Sequence, residues 1–159
     1  MSHRLIRVMV FMAIVLGLAV GASAQSVPVT YSSDTPISGQ VTTNTCTVGE
    51  PVVLSGNMHF QYSFTTDSTT GMTQFAITVS SNLAGVGQTS GANYLAADSN
   101  DYNPSSANPP LDMTVDFKSD LNSQGGTPSM TLIQSLEITV DTMGNISGQV
   151  LSNNTQCGS

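Results

Sequence analysis

The 159-residue chain has no tryptophan and only three basic residues, against ten carboxylates. Two of the bases, Arg4 and Arg7, lie in an N-terminal segment that we expect to be removed. One lysine, Lys118, then faces ten carboxylates, which leaves a net charge of −9. Proteins that bind nucleic acid need lysine and arginine to neutralise phosphates, and proteins that bind anionic membrane surfaces need basic clusters. The composition excludes both classes of partner.

The N-terminal segment has the order of a secretory signal peptide. Arg4 and Arg7 precede an apolar run at 8–20, and the small residues Ala22 and Ala24 follow it. This run is shorter than the about 20 apolar residues that a membrane-spanning helix needs. We therefore predict a cleaved signal peptide at 1–24, a secreted or periplasmic location, and no transmembrane helix in the mature chain.

The chain is also poor in cysteine, with only Cys46 and Cys157. In an oxidising compartment two cysteines of an exported domain are expected to pair. Closing so long a loop constrains the unfolded chain and contributes about 4–5 kcal/mol in the chain-entropy model. We predict an intramolecular Cys46–Cys157 disulfide; two free or intermolecular thiols are the alternative.

Alternation of apolar and polar residues dominates the rest of the sequence. It is clearest at 52–64, where even-numbered residues are mostly apolar and odd-numbered residues mostly polar. A period of two is typical of a strand with one buried face, and no segment of the mature chain has a convincing helical period. Similar strand patterns occur at 73–79, 111–118, 130–140 and 146–150, with shorter candidates at 27–31, 37–42, 83–89 and 92–97.

These patterns predict an all-β fold, an antiparallel barrel of about eight strands, with a two-sheet β-sandwich as the alternative. Residues 25–45 are expected to form an N-terminal extension or edge strands, and 46–159 a single all-β domain. The pentapeptide Ile-Ser-Gly-Gln-Val occurs twice, at 37–41 and at 146–150. It is either a duplicated edge element or a coincidence between two strands rich in serine and glycine.

One acidic segment has oxygen-bearing side chains at alternate positions, as in the first half of a calcium loop. It contains Asp98, Asn100 and Asp101, but the glycine and the later glutamate of an EF-hand are missing. The competing interpretation is a surface loop rich in Asp and Asn. We predict no cofactor, with calcium on these three residues as the alternative.

The mature chain has a single histidine, His59, on the polar face of the longest predicted strand. One histidine is too few for the usual histidine-rich zinc site, and no Gly-x-Ser-x-Gly motif accompanies it. We predict a solvated residue on the sheet surface, and no catalytic residue.

Two stretches of the chain resemble a group of small exported bacterial proteins of unknown function. The resemblance covers 46–157 and implies an exported bacterial domain with a cysteine at each end, without implying an activity. The stretches are Cys46-Thr47-Val48-Gly49-Glu50-Pro51-Val52-Val53-Leu54-Ser55-Gly56-Asn57-Met58-His59 and Gly85-Val86-Gly87-Gln88-Thr89-Ser90-Gly91-Ala92-Asn93-Tyr94.

Two functions from different classes fit this sequence. The favoured one is a non-enzymatic domain that binds a small apolar ligand, or a protein partner on its surface. The alternative is a barrel enzyme of the cyclase or isomerase type, in which Gln134 acts with Tyr62 or Tyr94. The residues predicted to line the ligand site are Met58, Phe60, Tyr62, Phe64, Phe75, Met113, Phe117 and Gln134.

Overall fold

The computed structural model describes residues 28–104 and 108–157, and all regular elements within them are β-strands. Each strand pairs antiparallel with the next along the chain, and the sheet curves into a nearly closed barrel. The predicted antiparallel barrel is confirmed. The strands are β1 (Val29–Asn44), β2 (Glu50–Thr66), β3 (Thr73–Gly87), β4 (Asn93–Tyr102), β5 (Leu111–Ser123), β6 (Met130–Val140) and β7 (Ile146–Cys157).

The barrel has seven strands rather than about eight, because some separately predicted strands are continuous. The candidates at 27–31 and 37–42 belong to β1, although Val27 lies outside the described residues. The candidates at 73–79 and 83–89 both fall on β3, although residues 88 and 89 lie in the turn that follows it. The polar residues between them do not end the strands, since pairing with β2 supplies the backbone hydrogen bonds along both.

The segment read as either a calcium loop or a surface loop is a strand. Residues 98–102 complete β4, and Tyr102 pairs with Ile77 of β3. Asp and Asn disfavour strands when judged by local preference. Here the tertiary pairing with β3 overrides that preference.

The barrel interior is filled by the apolar face of each strand. In β2, Val52, Leu54, Met58, Phe60 and Tyr62 are at most 1% exposed. The odd-numbered residues between them are exposed or half-buried. The alternation predicted for this segment therefore corresponds to the inner and outer faces of the barrel, and the inner face packs against the matching faces of the other strands.

An odd number of strands determines how the barrel closes. In a meander of seven strands the first and the last run parallel, and within the described residues no backbone hydrogen bond joins β1 to β7. We call this junction the seam. Side chains hold it instead: Thr35 Oγ1 donates to Gly148 O at 2.9 Å, and Thr155 Oγ1 donates to Thr43 O.

Cys46 and Cys157 lie at disulfide distance at one end of the seam, with their Cα atoms 5.1 Å apart. The predicted pair is therefore present, and it ties the end of β7 to the residues that follow β1. The predicted signal peptide at 1–24 lies outside the described residues. Where the chain is described it forms no helix, and hence none that is apolar and long enough to cross a membrane.

A second gap opens between β4 and β5. These strands pair only at Tyr94–Ser123 and Leu95–Asn122 and then diverge. Two side chains cross the gap: Asp98 Oδ2 accepts from Asp120 N at 3.0 Å, and the Tyr102 hydroxyl donates to Asp116 O at 2.9 Å. The seam and this gap are thus the two places where backbone pairing around the barrel is missing or short.

Candidate functional site

The two ends of the barrel carry different connections between strands. One end carries the β1–β2, β3–β4 and β5–β6 turns together with the Cys46–Cys157 pair. The other end carries the β2–β3 turn, the β4–β5 connection and the β6–β7 turn. A pocket of about 320 Å³ opens at this second end, and we call it the mouth. It is lined by Tyr31, Tyr62, Phe64, Thr66, Thr73, Phe75, Asn108, Pro109, Thr142, Met143 and Gly144.

Four aromatic rings line the mouth, and three of them form a cluster. The Tyr62 and Phe75 ring centroids are 6.1 Å apart with planes at 18°, and Phe64 lies 6.2 Å from Tyr62 and 6.3 Å from Phe75. The register explains the cluster, because Phe64 pairs with Phe75 and Tyr62 pairs with Tyr31 across neighbouring strands. Aromatic pairs at this spacing contribute about 0.5–1.5 kcal/mol beyond burial.

The β6–β7 turn closes one side of the mouth against Tyr31. A Cβ atom at Gly144 would lie 2.8 Å from the Tyr31 ring, so the turn backbone packs directly on that ring. Asp141 shapes the turn by accepting from Met143 N at 2.8 Å and Asn145 N at 2.9 Å. The mouth is therefore bounded by rings on the strands and by a tight turn, both of which are built into the fold.

The Tyr62 hydroxyl is the chemically unusual group in the mouth. Tyr62 is 1% exposed, and its hydroxyl oxygen is buried without a hydrogen-bond partner in the structure. Burial, followed by the nearby Tyr31, raises the pKa of this phenol, so Tyr62 stays neutral. A buried polar group left unpaired costs about 1–3 kcal/mol. A ligand that hydrogen-bonds this hydroxyl would remove that cost.

The structure divides the predicted ligand-lining residues into two sets. Tyr62, Phe64 and Phe75 line the mouth. The other five lie along the barrel core: Met58, Phe60, Phe117 and Gln134 are 0% exposed, and Met113 is partly buried against the core. Alternation along the strand does not distinguish these sets, because both sets face the interior.

Sequence reasoning missed eight of the eleven residues that line the mouth, and three of these supply an aromatic ring or an apolar side chain. Tyr31 belongs to a short candidate strand, while Pro109 and Met143 lie in connections between strands. An aromatic residue at the start of an alternating segment is the only local signal for any of them. Their meeting with Phe75 depends on barrel closure, which brings β1, β3 and the β6–β7 turn together.

The residues considered for an isomerase-like site do not share one pocket. Tyr62 pairs with Ile77 of β3 and Tyr94 pairs with Gly85 of β3, and these two positions are separated by about 26 Å of strand. The Tyr94 hydroxyl accepts from Asn44 Nδ2 at 2.9 Å near the disulfide end. Gln134 Nε2 donates to Asn153 Oδ1 at 3.1 Å, while its Oε1 has no partner.

The calcium candidates lie on β4 and point to both of its faces. Asp98 and Asn100 lie on one face of β4, and Asp101 lies on the other. Asp101 Oδ1 accepts a hydrogen bond from Thr78 Oγ1 at 2.7 Å. Asp98 accepts a backbone hydrogen bond from Asp120 across the gap. Over 28–104 and 108–157 no three His, Cys, Asp or Glu side chains are grouped as a metal site would require. Calcium binding on these residues stays the alternative to the prediction of no cofactor.

His59 lies on the outer face of the barrel in a row with Asp34 and Ser80 on the adjacent strands. Its Nδ1 is 2.9 Å from Asp34 Oδ1, and the His59 side chain is 40% exposed. Hydrogen bonds from His59 and then Asn57 lower the pKa of the Asp34 carboxyl. In the described structure no hydrogen bond links His59 to Ser80. His59 and Asp34 therefore form a pair on the barrel surface, and Ser80 is only their neighbour.

A larger groove of about 830 Å³ lies near the β4–β5 gap and includes Lys118, Asp98 and Asp120. Its polar side chains are mostly exposed and several already bond one another, as Thr131 Oγ1 does with Asp120 Oδ1 at 2.8 Å. The mouth differs because it is lined by Tyr62, whose buried hydroxyl has no hydrogen-bond partner in the structure. We therefore take the mouth as the candidate site.

Comparison with known proteins gave no match to any family model and no significant match to a curated protein or a solved structure. The candidate site thus rests on the geometry of this chain alone.

Proposed function

We propose that this chain is an exported, non-enzymatic barrel domain that binds a small ligand in the mouth. The ligand has an apolar body, which the rings of Tyr31, Phe64 and Phe75 cover, and one hydrogen-bonding group for the Tyr62 hydroxyl. The buried, unpartnered hydroxyl of Tyr62 is the observation that carries the proposal. Ligand pockets are typically apolar with a few converging polar groups, and their volumes begin at about 300 Å³.

Export is part of the proposal and is supported by two features. The N-terminal sequence has the basic, apolar and small-residue order of a signal peptide. Cys46 and Cys157 lie at disulfide distance, and disulfides persist in oxidising compartments.

The chemistry of the mouth favours binding over catalysis. Its described lining offers ring faces, threonine hydroxyls and one buried phenol that stays neutral. These groups hold and orient a ligand through packing and hydrogen bonding. The ligand should therefore leave the site chemically unchanged.

Two neutral probes test the site directly, 3,3-dimethylbutan-1-ol and p-cresol. Each has an apolar body and one hydroxyl, and each is added to the folded chain while backbone amide shifts are recorded by NMR. We expect saturable shifts at Thr66, Thr73 and Gly144, which line the mouth. Shifts confined to other surfaces, or none with either probe, would contradict the proposed function.

Tyr62→Phe separates a binding role from a structural one. Removing a hydroxyl that has no partner should leave the free energy of unfolding unchanged or raise it. Probe affinity should fall about tenfold, the loss expected for one hydrogen bond. If binding were unaffected, the Tyr62 hydroxyl would not contact the ligand.

Tyr94→Phe is the matched control at the opposite end. Its hydroxyl is already bonded, so Asn44 Nδ2 would keep only its 3.3 Å contact with Pro128 O. We expect this variant to lose about 1 kcal/mol of stability and to keep its probe affinity.

A further inference from the structure

Three of the ten acidic residues of this chain lie at the mouth end of the barrel. Asp67 directly follows the lining residue Thr66, and Asp141 directly precedes the lining residue Thr142. Asp112 lies beside Asp141 on the wall of an adjoining pocket at the same end. The described mouth lining itself contains no charged side chain. Three negative charges therefore lie at the same end of the barrel as these rings, outside the lining itself.

The one lysine of the described residues lies far from this end. Lys118 is seven residues along β5 from Leu111, which begins the strand at the mouth end, so about 23 Å separates them. Charges that far apart are largely screened at physiological ionic strength, where the Debye length is about 8 Å. Lys118 therefore does little to offset the negative potential at the mouth.

Two of the carboxylates are held in their ionised form. Asp67 Oδ1 accepts from Thr69 N at 2.7 Å and from Thr70 N at 3.1 Å. The hydrogen bonds from Thr70 and then Thr69 lower the pKa of the Asp67 carboxyl. Asp141 bonds Asn145 through both side chain and backbone, and these bonds likewise lower the pKa of its carboxyl. Both negative charges thus stand on the turns next to the mouth, and we call these two turns, 67–72 and 141–145, its rim.

Aromatic rings attract cations over their faces, most strongly where water is partly excluded. A negative potential around an apolar cleft raises the local concentration of cations. We propose that the mouth selects small organic cations of the quaternary-ammonium class over neutral molecules of the same shape. This inference rests on the proposed function, because it assigns a charge to the ligand of that same site.

Choline and 3,3-dimethylbutan-1-ol provide the matched pair of probes. They have the same shape and the same hydroxyl, and they differ in the positive charge of the trimethylammonium group. We expect choline to bind about fivefold more tightly in NMR titrations at low salt, the factor that one cation–ring contact provides. The preference should shrink between about 10 mM and about 150 mM salt, because the charges at the rim are exposed.

The outcomes separate this inference from the proposed function. If the neutral alcohol binds in the mouth as tightly as choline or more tightly, the cation inference is overturned and the proposed function stands. If neither molecule shifts the mouth amides, both are overturned. If choline shifts amides only within the acidic turns at 67–72 and 141–145 and not at Tyr31 or Phe75, which line the mouth from the strands, it binds as a counterion and the inference is again overturned.

Two variants with controls identify the source of the preference. Phe75→Leu keeps apolar contact but removes a ring, and should weaken choline binding more than alcohol binding. Asp67→Asn keeps an acceptor oxygen for the turn but removes a charge, and should reduce the choline preference and its salt dependence. Asp120→Asn removes a charge near the opposite end and should leave the preference unchanged. An equal effect of Asp67→Asn and Asp120→Asn would overturn the role of the mouth charges.

Discussion

The same pentapeptide, Ile-Ser-Gly-Gln-Val, lies on both sides of the seam with two different backbones. In β1 the register against β2 shifts between Ser38 and Gln40, and Gly39 between them has a φ of 69°. This φ lies in the left-handed region of backbone conformation, which glycine enters readily and other residues enter only with strain. The bulge therefore falls on the glycine. In β7 the copy at 146–150 pairs with β6 without a shift. One sequence therefore forms a bulge on one strand and a regular segment on the other.

Neighbouring residues account for the difference. A Cβ at Gly148 would lie 2.3 Å from the Phe60 ring, so this glycine makes room for a buried ring of β2. A Cβ at Gly39 would meet nothing within 4 Å. The bulge also reverses the side-chain phase, so Gln40 turns toward the interior, whereas Gln149 stays outside and bonds Glu137. The glycine of the pentapeptide can adopt either backbone conformation, and the neighbouring residues in the barrel determine which one it adopts.

The largest effect is expected where the β7 copy contacts the core. Phe60→Ala removes the 0%-exposed ring that packs on Gly148 and should lower the free energy of unfolding by about 3–5 kcal/mol. Urea unfolding followed by tyrosine fluorescence measures this loss. The control Gln61→Ala lies on the opposite face of β2 and should change stability by no more than about 0.5 kcal/mol. Equal losses would mean that both faces of β2 are buried.

Gly148→Ala should come next, at about 1–3 kcal/mol, because the new methyl group overlaps the Phe60 ring. A double-mutant cycle with Phe60→Leu checks the mechanism, since the smaller side chain leaves space for the methyl group. The double variant should be more stable than the two single losses predict when added. Strict additivity would place the strain somewhere other than at Phe60.

Gly39→Ala tests the other copy and should cost about 1 kcal/mol. The loss would come from the backbone alone, because a side chain in the left-handed region is strained while the space around it is open. The Phe60→Leu background should not change this loss. A rescue there would show that the two copies share one packing environment.

The smallest effects distinguish the two glutamines. Gln149→Ala breaks an exposed bond to Glu137 and should change stability by no more than about 0.5 kcal/mol. Gln40→Met replaces a side chain whose Oε1 is buried without a partner, and should leave stability unchanged or raise it. A clear loss in Gln40→Met would indicate that this oxygen is hydrated in solution.

Most of the strands were predictable because alternation is a local signal. The inward phase at 52–64 matches the buried face of β2, and the antiparallel barrel follows from many such segments. The sequence predicts two separate strands where β1 is continuous, because apolar and polar residues do not alternate over Ser32, Ser33, Asp34 and Thr35. Pairing with β2 nevertheless keeps them in one strand.

The candidate site was predictable only in part. Tyr62, Phe64 and Phe75 could be identified as inward-facing, but so could Met58 and Phe60, which lie in the core. The distinction depends on distance from the barrel end, which the pairing register determines. The contributions of Tyr31 and Met143 depend on contacts between segments far apart in sequence, and no local pattern encodes these.

The sequence by itself determined the fold class, the inward face of each clearly alternating strand, and the cysteines available to pair, because these depend on residue type and a period of two. Only the tertiary structure decided the number of strands, and with it the parallel seam that side chains and the cysteine pair hold together. It also decided which of two identical pentapeptides bulges, and that a tyrosine with an unpartnered hydroxyl lines one pocket together with three other aromatic residues. The physical reason is that curvature and closure are collective properties of the sheet, set by pairing among strands that the chain brings together only when it folds.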